Sequence, residues 1–231
     1  MLAPAFEDRY QVVQVDLPGA ETSASTSSHT VHGTLETHAA DLLRVMSSLS
    51  LFDVVFVGHS VGAVIGVLAA IREPNRFANM VLISPAPRFA NENDYTGGFE
   101  QADIDELRLA MECDYHGWPQ AMVPAMMSKN ERSELVMELS NSFVRTNPEI
   151  ARHFARVPFL SDRRAELPHP SVPTLILQSA HDVVAPLCVG HYINEHLSDS
   201  RMVVIETSGH CPHLSAPQET LAAITSFLHR S

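Results

Sequence analysis

The chain has 231 residues, 45% of them apolar and 18% charged, and its 15 Lys+Arg against 27 Asp+Glu give a formal charge of −12. With a mean hydropathy near zero, that length suits one globular domain with room for an insertion and excludes a disordered or fibrous chain. The acidic balance, with no Lys/Arg cluster, disfavours nucleic acid and anionic lipid, so the expected partner is a small neutral or apolar molecule. The longest apolar stretch, Ala63 to Ile71, falls far short of the roughly 20 residues of a membrane helix. Met1 to Tyr10 carries Glu7 and Asp8 before Arg9 and no basic-then-apolar signal, which makes the cytosol the expected location. Cys113, Cys188 and Cys211 are too scattered for a C-x-x-C motif and are expected to be packed, reduced thiols.

In chain order, Gln11 to Asp16 is the first of five β-branched runs that read as buried strands; Val54 to Val57, Met80 to Ser84, Thr174 to Gln178 and Met202 to Glu206 are the others. Continuous apolar character is what a parallel sheet covered on both faces requires. A Ser/Thr/His-rich loop from Glu21 to Thr34 precedes a helix pattern from Leu35 to Met46, with Leu35, Ala39, Leu42, Leu43 and Met46 on one side. Val61 to Arg72 reads as an apolar helix ended by Pro74, and Val189 to Leu197 and Glu219 to Leu228 supply later helices. Between strands, residues 91–167 show no strand signal and four amphipathic patterns. These run through Ile104, Leu107 and Met111; Trp118, Met122 and Met126; Leu135, Leu139 and Phe143; and, after an Asn147-Pro148 start, Ile150, Phe154 and Val157. The expected architecture is α/β: a mostly parallel open sheet from residues 1–90 and 168–231, with a four-helix cap inserted at 91–167.

Gly58-His59-Ser60-Val61-Gly62 follows a strand and opens a helix, the context of a G-x-S-x-G nucleophile elbow. Both glycines are expected to permit a close backbone approach, and the helix N-terminus beside Ser60 favours an oxyanion. A serine needs a base and an orienting acid on the same sheet edge, in the order Ser, Asp, His. Asp182 follows the strand Thr174 to Gln178 at its carboxyl end, whereas Asp199 precedes a strand and lies at the opposite edge. His210 follows the strand Met202 to Glu206, with Gly209 free to turn the loop, and His213 is the fallback base. The expected triad is Ser60, Asp182 and His210. His29-Thr30-Val31-His32 and Cys211-Pro212-His213 carry metal-ligating residue types. No third and fourth ligand stands at helical or knuckle spacing, so no metal and no cofactor is expected. Asp162-Arg163-Arg164 reads as a solvated turn or a lid-to-core ion pair.

Several stretches together resemble the α/β-hydrolases related to the bacterial stress-signalling hydrolase RsbQ and to the plant karrikin and strigolactone receptor hydrolases. They are Gly58 to Ala63, Tyr95 to Glu100, Asp162 to Arg164, Leu177 to Asp182 and Gly209 to His213. The resemblance implies Ser60 as nucleophile, Asp182 as acid, His210 as base, and a four-helix cap over an apolar pocket. His59, Phe99, Trp118, Met122, Met126, Phe159 and Val183 are the candidate lining residues. It also implies two or three strands and a His-Gly loop ahead of Gln11 to Asp16, where only ten residues stand. Val61 N–H is then one oxyanion donor, and the second has no candidate. Either the chain starts late or the protein is a weakened hydrolase. The expected activity is hydrolysis of a small, largely apolar ester or lactone. The alternative is a ligand-sensing protein of the same fold with little turnover, read by a signalling partner at the cap.

Overall fold

A short β-branched run with no polar face satisfies its backbone and covers its side chains as a strand inside a covered sheet. The computed structural model, which describes residues 2–16, 34–114, 117–127, 133–145 and 156–229, places four such runs in one sheet. They are β1 (Val54–His59), β2 (Phe77–Ile83), β3 (Thr174–His181) and β4 (Ser200–Ser208), all parallel and adjacent in chain order. Side chains alternate along β2, so Met80 and Leu82 join one buried cluster while Val81 and Ile83 join another.

The first cluster is closed by α1 (Leu35–Ser48), α2 (Val61–Arg72) and α6 (Leu187–His196). Thr34 caps α1 by accepting a hydrogen bond from Thr37 N–H. On the other face, Ile224 and Phe227 of α8 (Pro217–Leu228) pack with Leu175, Leu177 and Ile205. A short helix, α7 (Pro212–Ser215), leads into α8.

Between β2 and β3 the chain leaves the sheet and runs through α3 (Gln101–Cys113), α4 (Trp118–Met126) and α5 (Ser133–Arg145), with residues 156–160 also helical. The expected fourth helix start at Asn147-Pro148, with Ile150 and Phe154, lies outside the described residues, as does the loop from Glu21 to Gly33. Entry and exit of this excursion are tied together. Arg88 pairs with Asp162 at 3.2 Å, Arg164 with Glu92 at 2.5 Å, and the Arg164 guanidinium lies 4.8 Å over the Tyr95 ring. Arg163 reaches Glu36 of α1 at 2.5 Å, so the charge run at the exit binds the insertion to the core.

One expected strand does not form. Gln11–Asp16 has no ladder partner among the described residues, and Val13 and Val15 are 38% and 44% exposed. The outer edge of β1 carries no neighbouring strand among the described residues either. A groove of about 1030 Å³ is lined by Gln11–Asp16, by β1 and by α1. A strand pattern becomes a strand only when a ladder partner stands beside it, and among the described residues none does so across the groove.

The turn between β1 and α2 corrects a second expectation. A Cβ on Gly58 would sit 2.8 Å from the Ala63 backbone and 2.7 Å from the Phe56 ring, whereas one on Gly62 would meet nothing within 4 Å. Only the first glycine is required by close approach. Gly58→Ala is expected to lose about 1 to 3 kcal/mol by overpacking. Gly62→Ala, in the first turn of a helix, is expected to gain up to about 1 kcal/mol. Urea unfolding of the two variants checks the contrast.

Candidate active site

Ser60 sits at the junction of β1 and α2 with φ 53° and ψ −122°. A non-glycine residue in that region is strained. Its N–H is fixed by donation to Ile83 O at 2.9 Å, from the end of the neighbouring strand. The turn aims the hydroxyl across the carboxyl edge of the sheet, and Val61 opens α2, where first-turn N–H groups have no acceptor within the helix.

Asp182 stands just past β3, beyond a register shift between Ser179 and His181. Its side chain is buried, and Oδ1 accepts from Val184 N–H at 2.8 Å and Ala185 N–H at 3.1 Å. That leaves Oδ2 facing His210 Nδ1 at 2.8 Å. His210 follows β4 through Gly209, whose φ of +96° turns the loop inward and whose N–H donates to His181 O. The imidazole is 1% exposed, and Nε2 lies 2.8 Å from Ser60 Oγ. With Nδ1–H donating to a carboxylate, Nε2 is left as the acceptor for the hydroxyl proton. Ser60, His210 and Asp182, from three separate sheet connections, thus form one hydrogen-bonded chain.

Two further contacts of His210 could not be found in the sequence. Its N–H donates to Met126 O at 2.6 Å, and Met127 forms an isolated bridge with Gly209, so the end of α4 in the insertion holds the histidine loop. Its carbonyl accepts from His59 Nε2 at 2.8 Å. His59 therefore props up His210 from beneath the elbow. The fallback base His213 lies in α7 with its ring 4.6 Å from that of His59 and is placed beside it, away from Ser60 in the hydrogen-bond chain. Of the remaining candidates, Phe99 and Phe159 pack on Phe89 in the main core, and Trp118 is buried. Met122 and Met126 are half-buried in α4, and Val183 is 60% exposed beside Asp182.

The two accessory imidazoles are held neutral. Burial, and then the neighbouring His210 and His213, drives His59 well below the usual histidine range; burial and then His210 lower His213 to about 4.

A model of the alpha/beta hydrolase family matches residues 1–224. The chain belongs to that family. It is 36% identical over 230 residues to karrikin insensitive 2 receptor CA of Petunia hybrida, covering 99% of this chain and 85% of the receptor. It is also 36% identical to a strigolactone esterase of Arabidopsis thaliana, covering 100% of this chain and 85% of that protein. Among solved structures, a hydrolase from Oleispira antarctica superposes with a TM-score of 0.95 at 34% identity, over 100% of this chain and 85% of that one. No described helix is long and apolar enough to cross a membrane.

A folded-state value of about 4 for His213, against roughly 6.5 in the unfolded chain, sets the sign of a pH effect. Between those values the unfolded chain binds the extra proton, so this stability is complete above about pH 6.5 and is lost as pH falls towards 4, by up to about 1.4 kcal/mol per unit. His213→Gln should flatten the unfolding free energy between pH 6.5 and 4.5 by about one proton, measured by urea melts across that range. An unchanged slope contradicts a buried neutral His213.

Proposed function

We propose that this hydrolase of ester bonds cleaves small, largely apolar carboxylic esters or lactones through Ser60, His210 and Asp182. The observation that carries the reading is the unbroken chain Ser60 Oγ, His210 Nε2, His210 Nδ1, Asp182 Oδ2, with both links at 2.8 Å. His210 takes the hydroxyl proton as Ser60 Oγ attacks the carbonyl carbon, and Asp182 holds the tautomer and stabilises the imidazolium. The imidazolium then protonates the departing alkoxide, leaving an acyl-serine that water, deprotonated by the same histidine, hydrolyses. Val61 N–H supplies one donor to the oxyanion, and each such donor is worth about 10² to 10³ in kcat. Residues 91–167 act as a cap, and Phe99, Trp118, Met122, Met126, Phe159 and Val183 offer the apolar lining. The net charge of −12 favours a neutral substrate.

A second reading, ligand sensing in the cytoplasm with slow turnover, is favoured by the bond from His210 N–H to Met126 O, which joins the cap to the base. A signalling partner would then recognise the cap with ligand beneath it. The name of the petunia relative, a receptor, points the same way.

Purified protein should release p-nitrophenol from p-nitrophenyl acetate. Ser60→Ala should lower kcat at least about 10³-fold and Asp182→Asn about 10⁴-fold. Undiminished turnover in Ser60→Ala would sink the nucleophile. Under the sensing reading, thermal stabilisation by ligand survives Ser60→Ala while turnover in the parent protein is already slow.

A further inference from the structure

Cys211-Pro212-His213 supplies two metal-ligating side chains, and the fold adds a third from 152 residues away. Among the described residues, His59, Cys211 and His213 form a cluster whose ligand atoms all lie within 4.8 Å of one another. In the sequence no third and fourth ligand stands at helical or knuckle spacing from this pair. The elbow brings the third in.

We propose that His59, Cys211 and His213 form a zinc-binding site directly behind the triad, and that an occupied site arrests hydrolysis. One thiolate and two imidazoles are a donor set that selects zinc over magnesium or calcium, and three protein ligands leave a fourth tetrahedral position for water. His59 Nε2 lies 4.0 Å from Cys211 Sγ. Tetrahedral zinc with Zn–S near 2.3 Å and Zn–N near 2.0 Å holds its ligand atoms roughly 3.5 Å apart. The cluster therefore has to close by about an ångström.

Independent features of the site point to a ligand. His213 Nδ1 is buried with no hydrogen-bond partner, although a buried ring nitrogen ordinarily has one. The groove along β1 reaches one member of the cluster, His59. On binding, Cys211 Sγ gives its proton to solvent and coordinates as thiolate. His59 shifts its proton from Nε2 to Nδ1 and coordinates through Nε2, so one proton is released per metal. That shift removes the hydrogen bond from His59 to the His210 carbonyl, and the base loses the support beneath its backbone.

The probe is Co²⁺, which reports a thiolate ligand through a charge-transfer band and a tetrahedral site through its visible d–d spectrum. The background is Cys113→Ser/Cys188→Ser, which removes the two exposed thiols. One equivalent of Co²⁺ should give both signals, and Zn²⁺ should abolish them by displacement. Cys211→Ser should lose the thiolate band and weaken Zn²⁺ at least about tenfold, and Cys211→Ala should do the same should the serine variant fold poorly. Absence of the band, or its persistence in the Cys211 variants, overturns the site. Ser60→Ala should bind Co²⁺ like its parent, so binding is tested separately from the catalytic assignment. Zinc should abolish p-nitrophenyl acetate hydrolysis by the parent protein and EDTA should restore it. Unchanged turnover by the zinc-loaded protein overturns the arrest.

Discussion

The site is organised around one residue with every polar group engaged. His210 donates through Nδ1 to Asp182, accepts at Nε2 from Ser60, donates through its N–H to Met126 and accepts at its carbonyl from His59. These four partners come from the β3 connection, the elbow, the helical insertion and the end of β1. A ring held at both nitrogens and a backbone held at both polar groups cannot rotate or slide without leaving a buried group unpaired, at about 1 to 3 kcal/mol for each. Ring orientation, tautomer and distance to the hydroxyl are thus fixed together, before any substrate arrives.

The elbow supports this arrangement through a different constraint. Ser60 holds φ 53° because its N–H is anchored to Ile83 O and because Gly58 lets α2 press against the strand end. Strain in one residue is tolerable where several contacts over-determine it. The adjacent Ser84 also holds a positive φ of 45°, at the end of β2, so two neighbouring strands end on left-handed residues at the same edge. That edge is where the side chains of Ser60, Asp182 and His210 converge.

How far the sequence discloses this molecule depends on the range of the forces involved. β2 and β3 are the most legible strands because burial on both faces leaves a continuous apolar run, as in Leu175, Ile176 and Leu177, whereas β1 and β4 carry the apolar pattern but are only half-buried. Gln11–Asp16 carries the same local signal and remains outside the sheet, because pairing is a property of two segments and the pattern records only one. The glycines of the elbow look equivalent in sequence, and only the position of the Ala63 backbone separates them. Ser60, Asp182 and His210 could be selected by asking which residues follow strands at the carboxyl edge. His59 could not: its bond to the His210 carbonyl joins positions 151 residues apart, and no local pattern encodes such a bond. The Met126 carbonyl is harder still, since a backbone acceptor leaves no trace in residue identity.

The ion pairs at the neck of the insertion bear on how such a protein can change. With Arg88, Glu92, Asp162 and Arg164 drawing entry and exit together, the sheet meets the intervening chain as a closed loop whose ends are already fixed. Doubling the length of a closed loop costs only about 0.6 kcal/mol of entropy. Added chain length beyond the neck therefore brings little entropic cost to the pairing of β2 with β3. The end of α4 is bound more tightly, since its carbonyl at Met126 accepts from the His210 N–H. Ile104 of α3 lies in the main core, and Val123 of α4 and Met127 just after it pack with Cys211, so an exchange of these helices has to keep those contacts together with the one to His210.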